Sequence, residues 1–184
     1  PFTLQTFGVF AAVALLGEFG LSKERIAQCM EHISIVESRY WEENVGGRRL
    51  VLHLAKGQNP IACSQACANV KKAPGKKTVL LLLDDAHDNA HSVENTAWLY
   101  DTDFEFLNDP DILQVATGGP RHWDTYVRLL MAGIPEEKLV HKEDPLEAAA
   151  ALDVASSDAV FVLYDLYSVD LSQQVKAQLH QRLA

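Results

Sequence analysis

The sequence is poor in cysteine, in basic residues and in long apolar runs, and each shortage excludes a class of protein. Its cysteines are Cys29, Cys63 and Cys67, too small and too uneven a set for a disulfide framework, so we expect reduced thiols in a cytoplasmic protein. Sixteen Lys and Arg stand against 25 Asp and Glu, for a net charge of −9. Because a basic surface supplies most of the affinity for nucleic acid, we expect no nucleic-acid partner.

The longest apolar run, residues 7–16, is interrupted by Gly8 and soon followed by Glu18. It falls short of the roughly 20 apolar residues that a membrane-spanning helix requires, so we predict a packed helix and no membrane span. Residues 1–6 carry no basic side chain, which argues against a signal peptide. The sequence begins at Pro1 rather than Met, and we therefore expect part of a longer protein.

The composition, 48% hydrophobic and 22% charged, is typical of a globular protein. Apolar residues at helical spacing predict two helices at the start of the chain, the second over 23–37 with Ser22 as its cap. The polar stretch 37–49 follows and is the best candidate for a domain boundary. We expect a helical hairpin over 1–40 and a second domain over 41–184.

Beyond this boundary, short apolar runs alternate with helical patterns. The predicted strands are 50–55, 78–83, 112–117, 138–141 and 159–163, and the predicted helices are 60–72, 122–131, 145–154 and 168–183. Such alternation requires crossover connections, so it predicts an α/β, Rossmann-like fold with a largely parallel sheet and helices on both faces. The long polar and aromatic segment 84–107 follows the second strand, where open α/β sheets place their sites.

Carboxylates cluster among aromatic residues in this segment. Asp101, Asp103 and Glu105 occupy every second position, so they point to one side if the backbone is extended. Mutual repulsion and an apolar surround raise carboxyl pKa values, a cost usually kept for proton transfer, metal binding or orienting a histidine. The alternative is an amphipathic edge strand with solvated acids on one face.

No glycine-rich phosphate loop of either common pattern occurs. The nearest feature is the pair Gly118 and Gly119, which separates a predicted strand from a predicted helix and is followed by Arg121. Backbone N–H groups and a guanidinium at such a turn can hold an anion. A plain strand-to-helix turn is the favoured interpretation.

Pairs of cysteines and histidines form two weak metal-site patterns. Cys63 and Cys67 are one helical turn apart, and we favour small core cysteines over metal ligands. His87 and His91 stand near carboxylates in a composition that suits zinc, but the turn-rich sequence favours a solvated loop. We therefore predict no metal site in the chain.

Three segments resemble the C-terminal domain of MurT-like proteins of the Mur ligase family. They are residues 59–65 (NPIACSQ), 98–105 (WLYDTDFE) and 119–133 (GPRHWDTYVRLLMAG). Residues 2–36 are similar to the helices that end the central ATPase domain of Mur ligases. The resemblance therefore covers nearly the whole chain.

The resemblance implies the C-terminal part of a ligase that uses ATP and Mg²⁺ to amidate the D-isoglutamate of lipid II or a related muropeptide. ATP phosphorylates the carboxylate, and ammonia released from glutamine by a GatD-like glutaminase partner attacks the acyl phosphate. The family's phosphate loop and cysteine zinc ribbon lie outside this sequence. We therefore expect the fragment alone to bind no cofactor and to be inactive as a ligase.

The resemblance also implies site residues. In the family, an Asp of this domain completes the Cys–His pair of the glutaminase and orients its imidazole. The motif Asp-Val-Ser-Trp matches residues 95–98, where Asn95 replaces the Asp, so the catalytic candidates are Asp101, Asn95 and Asp103. The motif Asn-Pro-Ala-Gly-x-Asn-Gln is altered at Ala62 and Ser64. Candidate substrate- or nucleotide-binding residues are Asn59, Gln65, Trp98, Arg121, Asp124 and Arg128.

Two alternative functions remain open. One is a diverged Mur-type ligase that joins an acid to an amino acid without a glutaminase, which the absence of a neighbouring glutaminase-like gene together with Asn95 would favour. The other is a non-catalytic docking module. The docking module would be favoured if Asp101, Asp103 and Arg121 were solvated and distant from any cleft.

Overall fold

The computed structural model of the protein describes residues 6–32, 39–56, 58–83, 96–165 and 169–184. The chain divides into two compact units, Pro1–Val36 and Glu37–Ala184. The described part of the first unit is helical, and the second unit is an α/β domain. All candidate site residues that the structure describes lie in the second unit.

In the first unit, helices α1 (Thr6–Glu18) and α2 (Lys23–Glu31) are joined by a short turn. Ser22 caps α2, because its Oγ accepts a hydrogen bond from the N–H of Arg25 at 3.2 Å. At its end the N–H of His32 donates to the carbonyls of Cys29 and Met30. Residues 33–37 of the predicted helix lie outside the described residues.

Six strands of the described residues form one sheet in the order β1-β2-β6-β3-β4-β5. They are β1 (Tyr40–Val45), β2 (Arg48–Leu54), β3 (Lys77–Leu82), β4 (Ile112–Gly118), β5 (Leu139–Lys142) and β6 (Ala159–Tyr164). Strands β2 to β6 pair in parallel, and β1 is antiparallel to β2. The predicted α/β fold class is confirmed, and every predicted strand is present with small shifts at its ends.

Strand β1 lies in the stretch 37–49, for which the sequence predicted no strand. It forms a hairpin with β2 through Gly46 and Gly47, whose φ angles are 58° and 83°. Glu42 and Glu43 are exposed on this edge strand. Charged side chains protect a sheet edge from unwanted pairing, and the same polarity concealed the strand in the sequence.

Helices of the second unit cover both faces of the sheet. Helices α3 (Pro60–Lys72) and α4 (His122–Met131) lie on one face, and α5 (Pro145–Ala150) and α6 (Val169–Leu183) lie on the other. The bounds of α3 and α4 agree with the prediction. Helix α5 ends before the predicted 154, because the side chain of Asp153 accepts the N–H of Ser156 and forms a separate turn.

Each face has its own core, and the central strand β3 contributes to both. Val79 and Leu81 pack toward α3 and α4, whereas Leu80 and Leu82 pack toward α5 and α6. Burial on both faces explains why this strand is a continuous apolar run rather than an alternating pattern. The carboxyl ends of the parallel strands meet at one edge, where such sheets place their sites.

Candidate functional site

Three connections that leave the carboxyl edge of the sheet lead to the candidate residues. The first links β2 to α3, the second follows β3, and the third links β4 to α4. Since these strands all run in one direction, the connections that leave their ends emerge at one edge. Asn59 and Arg121, in the connections that follow β2 and β4, therefore lie toward this edge. The segment 99–105 packs against α3 through Ser64 and against α4 through Arg128.

The connection from β2 to α3 has an unusual backbone. Lys56 and Gln58 take positive φ angles of 54° and 62°, a conformation that costs free energy in residues with side chains and occurs often near functional sites. Asn59 then caps α3, because its Oδ1 accepts the N–H of Ala62 at 3.0 Å. Gln65 is exposed about one turn along the helix.

Residues 100–103, which we call the acidic turn, are flanked by two short 3₁₀ helices, Thr96–Leu99 and Phe104–Leu107. The backbone here is not extended, so the prediction that Asp101, Asp103 and Glu105 form a row on one side of a strand is wrong. Thr102 Oγ1 donates a hydrogen bond to the carbonyl of Trp98 at 2.9 Å. This local bond closes a tight turn instead of leaving the backbone free to join a sheet.

The acidic turn exposes its carboxylates from an anchored backbone. Asp101 and Asp103 are exposed on either side of Thr102, which is 1% exposed. The N–H of Asp103 donates to Ser64 Oγ at 2.8 Å, which ties the turn to α3. Trp98 packs into the core beneath α3 and α4. Two acids therefore face solvent on either side of the buried Thr102, and the exposed Tyr100 lies next to Asp101.

Arg128 of α4 holds the acidic turn from the other side. Its Nε donates to the carbonyl of Leu99 at 3.0 Å and its Nη2 to the carbonyl of Thr102 at 2.7 Å. The same Nη2 pairs with the Glu105 carboxylate at 2.9 and 3.0 Å. Glu105 therefore neutralises a buried cation rather than forming a cluster with the two aspartates.

The turn between β4 and α4 is shaped by packing. A Cβ at Gly118 would lie 2.9 Å from the Cα of Pro145, so glycine is needed there. The N–H of Gly119 donates to the carbonyl of Glu143 at 3.1 Å, and Arg121 pairs with Asp124 at 3.3 Å. These contacts explain the turn without a ligand, and binding by Arg121 or Asp124 stays a prediction.

A histidine pair beside this turn escaped the sequence analysis. His122 Nδ1 and His141 Nδ1 are 3.2 Å apart. The ring centroids of Trp123 and Tyr126 lie 3.9 and 4.6 Å from the ring centroid of His141. Partial burial, with smaller effects of His122 and Lys142, lowers the pKa of His141. The two histidines sit on α4 and on β5, so no sequence spacing could have paired them.

Cys63 and Cys67 are buried in the core as free thiols, which confirms the prediction that they are core residues. A hydrogen bond between their side chains, together with burial, raises the pKa of Cys67 well above its ordinary value, so this thiol stays protonated and unreactive. The candidates Asn95, His87 and His91 lie outside the described residues. Within those that are described, no three or more His, Cys, Asp or Glu side chains are grouped to hold a metal ion.

No helix in the described part of the chain is long and apolar enough to cross a membrane. The fold is that of Mur ligases: MurF from Acinetobacter baumannii superimposes with a TM-score of 0.66 at 17% identity, over 94% of this chain and 37% of that one. The architecture therefore defines the fold class, which is that of MurF.

The sequence places the chain more narrowly. The model of the MurT ligase C-terminal family matches residues 56–168, a range that includes every candidate site residue. The MurT subunit of the glutamine-hydrolyzing lipid II isoglutaminyl synthase of Streptococcus pneumoniae is 32% identical over 135 residues. Its counterpart in Staphylococcus aureus is 25% identical over 149 residues. The chain belongs to the MurT ligase C-terminal family, and the resemblance found in the three segments is confirmed.

The alignments cover much of this chain but a minor part of the relatives. They include 72% of this chain and 29% of the Streptococcus protein, and 81% of this chain and 33% of the Staphylococcus protein. The chain therefore spans about a third of the length of these relatives. Most residues of these relatives therefore lie outside the region that aligns with this chain.

Proposed function

We propose that this chain is the C-terminal domain of an ATP-dependent amidotransferase ligase. Its substrate would be the D-isoglutamate of the peptidoglycan stem peptide on lipid II, and ammonia would come from a GatD-like, glutamine-hydrolysing partner subunit. The observation that carries the proposal is the family match over 56–168, because that range contains the anchored acidic turn. The relatives named as subunits of a glutamine-hydrolyzing synthase support the choice of reaction and the expectation of a partner.

The chemistry follows from the leaving group. A carboxylate oxygen leaves poorly, so ATP first phosphorylates the carboxylate, which releases ADP. Ammonia then attacks the acyl carbon, phosphate leaves with the bonding pair of the C–O bond, and a proton lost from nitrogen gives the amide. We place most of the ATP and Mg²⁺ contacts in the part of the ligase outside this chain, because no phosphate-loop pattern occurs in this sequence.

The described residues contribute two surfaces to this proposal. Arg121 lies half-buried after a Gly-Gly turn, a position from which a guanidinium can neutralise a phosphate. Asp101, with Asp103 as second choice, is the carboxylate that we assign to the partner's catalytic histidine. A carboxylate there would hold the imidazole in one tautomer and stabilise its protonated form. Residues 1–40 would end the central domain, and the reduced thiols favour a cytoplasmic reaction.

Asp101→Asn tests this assignment in the complete ligase subunit mixed with its glutamine-hydrolysing partner. We expect amidation driven by glutamine to fall by about 100-fold or more relative to amidation driven by added ammonium, because only the former needs the oriented histidine. Asp170→Asn, an exposed acid at the start of α6, is the matched control. Equal glutamine-driven rates in the Asp101→Asn variant and the wild type would remove Asp101 from this role.

A second candidate function is a Mur-type ligase that joins an acid to a free amino acid without a glutaminase. Asn95 favours it, since an amide in place of the family's aspartate cannot stabilise an imidazolium by charge. The test is co-purification with the glutaminase-like protein encoded nearest to the gene, followed by amidation assays with glutamine, ammonium and free amino acids. A stable complex that uses glutamine supports amidation, whereas turnover with an amino acid alone supports the second function.

A further inference from the structure

A cation with little access to water lies directly under the acidic turn. Arg128 is 6% exposed, and burying a charge is costly unless its donors are bonded and its charge is paired. Its bonds go to Leu99, Thr102 and Glu105, all within seven consecutive residues that enclose the two exposed aspartates. The hydrogen bonds that compensate for burying this guanidinium therefore all constrain the backbone and Glu105 of one segment, residues 99–105.

The contacts hold both ends of that segment and its middle. Leu99 ends the first 3₁₀ helix, Thr102 is in the acidic turn, and Glu105 is in the second 3₁₀ helix. The guanidinium also lies over the ring of Phe104, 5.6 Å from its centre. A planar group with donors in several directions can bridge such separated acceptors, whereas the single ammonium of a lysine cannot reach all of them together.

A second anchor acts on the same turn from α3. Ser64 Oγ accepts the N–H of Asp103 at 2.8 Å, so the backbone on either side of the two aspartates is fixed by neighbouring helices. None of the hydrogen bonds made by Arg128 or Ser64 uses a carboxylate oxygen of Asp101 or Asp103. The arrangement fixes where the acids stand and leaves their side chains available.

We infer that Arg128 is a positioning residue that sets the place and direction of the Asp101–Asp103 carboxylates, and not a ligand-binding residue as the sequence predicted. The inference rests on the proposed function of the acidic turn. It assigns to Arg128 an effect that passes through Asp101, because a displacement of about 1 Å in a catalytic group can cost about 100-fold in rate.

The test compares amidation driven by glutamine with amidation driven by ammonium in the complete ligase and its partner. In Arg128→Ala we expect the ratio of the two rates to fall at least about tenfold, with the KM for glutamine little changed. Free guanidinium at a non-denaturing concentration should restore part of the ratio by occupying the vacated space, and methylammonium should not. Arg128→Lys should behave like Arg128→Ala.

Arg182→Ala is the matched control, because Arg182 also donates to two backbone carbonyls, those of Ala149 and Leu152, but on the opposite face of the sheet. We expect it to lower stability without changing the ratio. Should Arg128→Ala fail to fold, Ser64→Ala removes the other anchor with a smaller change, and its ratio should fall in the same direction.

The outcomes separate this inference from the proposed function. If Asp101→Asn lowers the ratio while Arg128→Ala, or Ser64→Ala where that variant fails to fold, keeps the wild-type value, Arg128 has no positioning role. A ratio lost in Arg128→Ala that guanidinium does not restore beyond methylammonium also overturns the inference. If Asp101→Asn itself has no effect, the proposed role of the acidic turn fails first, and the inference fails with it.

Discussion

Cationic side chains near the core of this domain are held largely by backbone carbonyls. Lys77, 1% exposed, donates to the carbonyl of Ala73 at 2.7 Å, where α3 ends and its dipole favours a cation. Arg182 bonds the carbonyls at the end of α5, and Arg128 bonds those of the acidic turn. Each cation therefore fixes the end of a helix or a turn, where carbonyls lack partners within the element.

A pH effect on stability belongs to this scale, because burial lowers the pKa of His53 to about 4. As pH falls, His53 is protonated at about pH 6.5 in the unfolded chain but only at about pH 4 in the folded state. The free energy of unfolding is therefore retained above about pH 6.5 and decreases as pH falls toward about 4. We expect His53 to lower the free energy of unfolding by about 2 kcal/mol between about pH 7 and pH 5.

Urea unfolding of the wild type and of His53→Leu at both pH values measures this contribution. The variant should lose less stability on acidification, and the difference between the two proteins isolates His53 from the carboxylates that titrate in the same range. Parallel pH dependences in the two proteins would show that His53 is not the cause.

At the scale of elements, the β1–β2 hairpin shows how a turn sets the register of an edge strand. Gly46 and Gly47 both have positive φ, and the pairing of Val45 with Arg48 closes the hairpin around them. Two such residues match the right-handed twist of the flanking strands. The hairpin places Val45 in the core formed with α5 and α6, so its turn affects the packing of that whole face.

The two glycines give a matched pair of substitutions. A Cβ on Gly46 would overlap the carbonyl oxygen of Leu183 at the end of α6, whereas a Cβ on Gly47 would meet open space. We expect Gly47→Ala to cost about 1 kcal/mol from its backbone conformation alone. Gly46→Ala should cost about 2 to 4 kcal/mol, because the overlap adds to the same backbone cost.

Chemical unfolding of the two variants, each compared with the wild type, gives both values. Equal losses would mean that α6 moves away from the turn without cost and that only the backbone conformation matters.

At the scale of the whole molecule, the two hydrophobic cores and the six strands of the described residues all lie within residues 37–184. The two units, Pro1–Val36 and Glu37–Ala184, are each compact, and the helices that cover the sheet on both faces belong to the second. A domain with its own core is expected to fold alone.

We expect a protein of residues 37–184 to unfold in one cooperative transition. Its melting temperature should lie within about 5 °C of that of the corresponding transition in the 184-residue chain, since a shift of that size corresponds to about 1 kcal/mol in a domain of this length. Circular dichroism at increasing temperature measures it. A broad transition, or loss of near-ultraviolet signal at low temperature, would show that the first unit is needed for packing.

The sequence by itself determined the features that depend on local order. Helices α3 and α4 begin and end as predicted, because the Asn59 cap, Pro60 at the first helical position and the helical spacing of apolar residues act within a few residues of one another. The alternation of strands and helices predicted the α/β class, and three short segments identified the family. Strand β1 was missed because an exposed edge strand does not carry an apolar pattern.

Only the tertiary structure decided what the candidate residues contact. The acidic turn is a tight turn rather than an extended strand because Thr102 Oγ1 donates a hydrogen bond to the carbonyl of Trp98. Hydrogen bonds to Ser64 and from Arg128 hold the turn in place. The hydrogen bond between Ser64 and Asp103 spans 39 positions and that between Arg128 and Thr102 spans 26. Periodicity in a sequence reports neighbours along a helix or strand, but contacts of this kind depend on which strands pair and which helices cover them.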